Sequence, residues 1–121
     1  MSDRQCSPAE RVTAAVSSWP EVEVAPHRFG GVEFRLGRRE LGHLHGDRIA
    51  DLPFPRRLRD ELVASGSAGP HHFLPDSGWV TASIADPAGA ERAIELFRLS
   101  YERARHARRS RASALGSKRN A

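Results

Sequence analysis

A single cysteine, a single lysine and a single tyrosine stand among 121 residues, and each scarcity narrows what the chain can be. With Cys6 alone, neither a disulfide framework nor a cysteine-based metal site can form within one chain. No run of 18 apolar residues occurs, and residues 1–20 lack the uninterrupted apolar stretch of a signal peptide. Membrane spanning and secretion are therefore disfavoured, and a cytoplasmic location is the expectation. Also missing are G-x-S-x-G, the P-loop, G-x-G-x-x-G, H-E-x-x-H and C-x-x-C, and with them the commonest hydrolase, nucleotide, zincin and redox signatures. Asp60 and Glu61 are adjacent on a helix and point apart, so they offer no paired-carboxylate chemistry.

What is present begins with charge, and its location matters more than its sum. Residues 1–101 hold 12 Arg against 14 Asp plus Glu, a balance of −2, whereas residues 102–121 hold six Arg and Lys118 against Glu102, a balance of +6. The globular part is near neutral and the basic character belongs to the tail. Eighteen arginines against one lysine, with abundant Ala and Gly, reads as the codon bias of a high-GC genome more than as a binding specialisation. Arg103, Arg105, Arg108, Arg109 and Arg111 nevertheless form a row that can neutralise phosphates in a salt-dependent way, or simply complement a helix C-terminus.

Local patterns assign the elements. Ser7-Pro8-Ala9-Glu10 is a capping-box helix start, and Val12, Ala15, Val16 and Trp19 give that helix one apolar face until Pro20 stops it. From Glu21 to His45 the apolar period becomes two, through Val22 and Val24, then Val32, Phe34 and Leu36, then Leu41 and Leu44, which predicts three strands. Leu52-Pro53-Phe54-Pro55 closes that segment, and a helix from Pro55 to Ala64 follows. Two more strands, His71–Leu74 and Trp79–Ile84, flank the turn Pro75-Asp76-Ser77-Gly78. Asp86 caps a last helix whose buried face is Ala90, Ala93, Ile94, Phe97 and Tyr101. The length suits one domain. The expected fold is α+β, an antiparallel sheet of about five strands with helices packed on it in the order α-β-β-β-α-β-β-α. Residues 1–7 are expected to be a flexible N-terminus, 8–107 the domain, and 108–121 a basic disordered tail. Val24, Phe34 and the third strand are candidates for an open sheet edge, leaving monomer and homodimer both open.

Chemistry concentrates in Gly42-His43-Leu44-His45-Gly46, because alternation on a strand sends His43 and His45 to the same face. His71 and His72 come from a second strand, and Asp47 or Asp76 can add a carboxylate. Three readings stand: a divalent metal site, a metal-free small-molecule pocket in which His43 or His45 is a general base, or hydrogen-bonded sheet surface. The aromatic residues read as core, with Trp79 the one placed by its turn to wall a pocket.

Taken together, Trp19-Pro20-Glu21-Val22, Phe29-Gly30-Gly31-Val32-Glu33-Phe34, Gly42-His43-Leu44-His45-Gly46-Asp47, Leu52-Pro53-Phe54-Pro55, His71-His72-Phe73-Leu74-Pro75-Asp76-Ser77-Gly78-Trp79-Val80 and Leu99-Ser100-Tyr101 resemble the bacterial proteins of the luciferase family. The similarity runs from about Val16 to Ala107. The same domain is associated with fungal luciferases, which oxidise a hispidin-type pyrone with molecular oxygen and need no added metal or flavin. The resemblance implies an aromatic or polyketide-like ligand, no required cofactor, and a site at His43, His45, His71 and His72 with Trp79, Asp47 and Asp76 on the ligand. It does not imply light emission in a host without that luciferin. A looser similarity to MmcQ/YjbR-like proteins, whose double-wing fold resembles some DNA-binding domains, supports the alternative of a non-catalytic module contacting nucleic acid or an acidic partner through the tail arginines.

Overall fold

The computed structural model describes residues 6–27, 30–71 and 77–120, with side chains of the last helix described as far as 113. Helix α1 (Pro8–Ser17) starts as its sequence predicts: Ser7 Oγ accepts from Glu10 N at 3.1 Å, and the Glu10 carboxylate accepts from Ser7 N at 2.9 Å. Strands β1 (Val22–Pro26), β2 (Val32–Leu36), β3 (Arg39–His45) and β4 (Ile49–Pro53) follow, then α2 (Arg56–Ala64), β5 (Gly69–Pro70), β6 (Trp79–Ser83) and α3 (Pro87–Asn120).

All pairings are antiparallel in one open sheet of order β1-β2-β3-β4-β6-β5. The α+β class is as expected, but the sheet has six strands and the order is α-β-β-β-β-α-β-β-α. The additional strand is β4. Its five residues include Asp51 and end in Pro53, which make it read as a loop; Pro53 is tolerated because it is the last residue of the strand. Of the expected strand from His71 to Leu74, residues 72–74 lie outside the described residues, and β5 comes just before it. The open edge is β1, where Val24 is the exposed large hydrophobic; Phe34 is fully buried and β3 lies inside the sheet.

One face of the sheet carries the core. Phe34, Leu44, Ala50, Leu52, Val80 and Ala82 point to it and meet Val12 and Val16 of α1 and Ala93, Phe97 and Tyr101 of α3. The Phe34 and Phe97 rings meet edge to face at 5.2 Å. Tyr101 is fully buried, donates its hydroxyl to Pro20 O at 2.9 Å and packs on Trp19, tying α3 to the end of α1. Asp86 caps α3 as predicted, accepting from Gly89 N at 2.7 Å. Among the described side chains of α3 the last buried one is Ala104, and the described backbone continues helical to Asn120.

Between β2 and β3 the register slips by one residue. Phe34 faces Gly42 but Arg35 faces Glu40, leaving Leu41 as an extra residue in β3. Helix α3 holds this bulge: the buried Ser100 donates its hydroxyl to Leu41 O at 2.9 Å. Gly42 is required beside it, with φ at 151°, because an added Cβ would sit 2.7 Å from Phe97 Cε1 and 2.8 Å from Asp51 O.

Candidate functional site

The bulge decides which side chains meet on the other face of the sheet. Without it, residues 40 and 43 would point to opposite faces, since alternation has a period of two. With it, Glu40 faces Arg35 and His43 faces Glu33, and both carboxylate and imidazole emerge on the same side. The row then continues through the register His43↔Asp51 and Asp51↔Thr81. A line of polar side chains from three adjacent strands thus lies behind the apolar core, on the face away from Leu44, Leu52 and Val80.

Asp51 is the centre of that line and is fully buried. Its Oδ1 accepts from Thr81 Oγ1 at 2.7 Å. Its Oδ2 is approached by three imidazole Nε2 atoms, from His45 at 3.0 Å, His43 at 3.4 Å and His71 at 3.5 Å. His43 is fixed on its other nitrogen as well, with Nδ1 2.6 Å from Glu40 Oε2. The ring of His27 stacks on His43 at 4.0 Å, and Trp79 lies 5.4 Å from His43 and 5.9 Å from His71, centroid to centroid.

These contacts set the electrostatics. Burial works against charge on His43, but the hydrogen bonds and negative charges of Asp51 and Glu40 outweigh it and raise its pKa to about 9. Burial, and next the charge of His43, pull His27 below the ordinary imidazole value. Exposure also differs within the cluster: the side chain of His45 is 32% accessible, against 9% for His43 and 10% for His71. His45 is therefore the imidazole of the three most open to an arriving molecule. Two groupings have ligand atoms within 4.8 Å of one another, His43 with His45 and Asp51, and His27 with Glu40 and His43.

Of the residues singled out in the sequence, His43, His45, His71 and Trp79 come together here. Asp47 is placed in another role, accepting from Ala9 N at 3.0 Å in the first turn of α1. His72 and Asp76 lie outside the described residues. Glu40, Asp51, Thr81 and His27 belong to the cluster and were not anticipated. Alternation along Ile49-Ala50-Asp51-Leu52 is the signal that would have found Asp51, once β4 is read as a strand. A cavity of about 380 Å³ lies apart from the cluster, between α1 and β2–β3, lined by Ala14, Val32 and Leu44.

The tail arginines are partly engaged within the chain. Arg108 Nη1 lies 2.7 Å from Glu21 Oε1, and Arg105 stacks over Tyr101 at 5.5 Å. Arg109 joins both in lining a cavity of about 260 Å³ against Pro20 and Leu36. Burial, and then the charges of Arg103 and Arg111, lower the pKa of Arg39 at the start of β3. Among the described residues no helix is long and apolar enough to cross a membrane.

No curated protein and no solved structure matches the chain. A family model does, the Luciferase domain, over residues 38–100. That stretch takes in the bulge and its Ser100 anchor, Glu40, His43, His45, Asp51, His71, Trp79 and Thr81, and leaves out α1 and the basic end of α3. The match covers more than half of the residues and the whole Asp51-centred cluster except His27, and so the chain belongs to the Luciferase domain family.

Proposed function

We propose that this luciferase-domain protein binds an acidic aromatic or polyketide-like small molecule against Trp79 and the histidine cluster, and oxidises it with molecular oxygen. The observation that carries the reading is the convergence of three imidazoles on one buried carboxylate beside an indole. A flat enol or phenol has the shape to lie on Trp79 and the acidity to exchange a proton with imidazole. In this reading His45 receives that proton, which is supported by the contact of its ring with Asp51 and by its side chain being the most open of the three. The resulting enolate is electron-rich at carbon. Its electron pair forms a carbon–oxygen bond to oxygen, which is reduced to the peroxide level, and the proton held by imidazole returns to the terminal oxygen. The sum is substrate plus oxygen giving a hydroperoxide, with no external reductant.

The test is an oxygen-electrode assay with a panel of hydroxylated pyrones and polyketides, run on the wild-type chain and on His45→Ala. Ligand-dependent uptake is expected in the first and a loss of at least about 100-fold in the second, the usual range for removal of a general base. Circular dichroism should show both folded. Equal uptake in the two proteins would sink the reading.

A further inference from the structure

Two of the three imidazole contacts to Asp51 Oδ2 are longer than ordinary hydrogen bonds. A charge-assisted N–H···O contact settles near 2.7–2.9 Å, yet the Nε2 atoms of His43 and His71 stand at 3.4 and 3.5 Å from Oδ2. In a tetrahedral site with metal–ligand bonds of roughly 2.0–2.1 Å, neighbouring donor atoms are separated by about 3.3–3.4 Å. The separations from Oδ2 to the Nε2 atoms of His45 and His43, 3.0 and 3.4 Å, are close to that edge length, and a donor atom from each of His43, His45 and Asp51 lies within 4.8 Å of the other two.

We propose that His43 Nε2, His45 Nε2 and Asp51 Oδ2 form a binding site for a divalent first-row transition-metal ion, with His71 beside it, 3.5 Å from Oδ2. Two imidazoles and one carboxylate are a nitrogen and oxygen donor set of the class that takes zinc, iron, cobalt or manganese. The surrounding contacts are those of a metal centre's outer layer. Glu40 accepts from Nδ1 of His43, which fixes the ring and leaves Nε2 as the donor to the ion, and Thr81 occupies Oδ1 of Asp51, which leaves Oδ2 facing the imidazoles. The second grouping, His27 with Glu40 and His43, is less suited. There the two rings are stacked face to face, so their in-plane nitrogen lone pairs run side by side and do not converge.

The proposal rests on the reading of this cluster as the functional site, and it changes one part of that reading. With the ion in place, the anion of the ligand is stabilised by the metal's charge and not by proton uptake at His45. The ligand class stays the same. It also departs from the absence of a required metal that the family resemblance implies.

The experiment uses the full chain, free of any affinity tag and stripped with a chelator, titrated with cobalt(II) alone. One equivalent should bind, give visible absorption bands of a low-symmetry site and raise the thermal midpoint. His45→Ala and Asp51→Asn should each weaken binding at least tenfold, while His106→Ala, on α3 outside the cluster, should leave it unchanged. Should Asp51→Asn fail to fold, the half-exposed His45 variant decides. No stoichiometric cobalt in the folded wild-type chain, or equal affinity in wild type and His45→Ala, would overturn the assignment. Oxygen uptake followed in parallel separates the two readings: metal without uptake upholds the site and removes the oxidation, and uptake by a chain that holds no metal overturns the site alone.

Discussion

At the residue scale the cluster is a study in charge held against burial. In the metal-free chain His43 is a buried cation between Asp51 and Glu40, with a pKa raised to about 9. A group whose pKa is higher folded than unfolded adds stability that is complete below its unfolded value, near 6.5. That stability is lost as pH rises through about 9. The chelator-treated protein should therefore have a lower urea midpoint at pH 10 than at pH 6.5, and Glu40→Gln should flatten this slope by removing one of the two negative charges beside His43. A midpoint that falls equally in both proteins would show that the slope comes from other groups. His43 and His45 were legible in the sequence because strand alternation fixes their common face. Asp51 was not, because a lone acid between Ala50 and Leu52 looks like a break in an apolar run until its neighbours are known to be imidazoles.

At the element scale, what the sequence showed well were the helices and outer strands, where each end carries its own local chemistry. Ser7 with Glu10, Pro20 and Asp86 act on backbone groups within a few residues, so no knowledge of the rest of the chain is needed. Strand β4 depends on partners at both sides, β3 and β6, and its Asp51 and Pro53 disguise it. The bulge at Leu41 is likewise invisible in sequence, because its carbonyl is met by Ser100, 59 residues away. Ser100→Ala should destabilise the protein by about 1–3 kcal/mol, the range for leaving a buried acceptor without its donor. It should also shift the His43 ring resonances, since Glu40 sits on the far side of the bulge. Denaturant melts with imidazole NMR check both; unchanged resonances in a destabilised variant would mean the bulge does not need its anchor.

At the scale of the whole molecule, the sheet has two working sides: an apolar one closed by α1 and α3, and a polar one bearing the Asp51 cluster and Trp79. The described basic residues at the end of α3 belong to neither, for among the described side chains of α3 the last buried one is Ala104. The contact between Arg108 and Glu21 joins side chains that are 51% and 67% accessible. Arg108→Ser should accordingly cost no more than about 1 kcal/mol and become indistinguishable from wild type in high salt. A larger loss, or one insensitive to salt, would mean that the end of α3 contributes to the core.

The extra residue in β3 has a consequence for portability. Gly-His-Leu-His is a short motif that any strand could carry, and grafting it onto a regular hairpin would reproduce both imidazoles. It would not reproduce Glu40 beside them, because in an unbroken ladder the third residue back from His43 falls on the reverse side. Transplanting the centre therefore means transplanting an irregularity, together with the distant hydroxyl that keeps it in place.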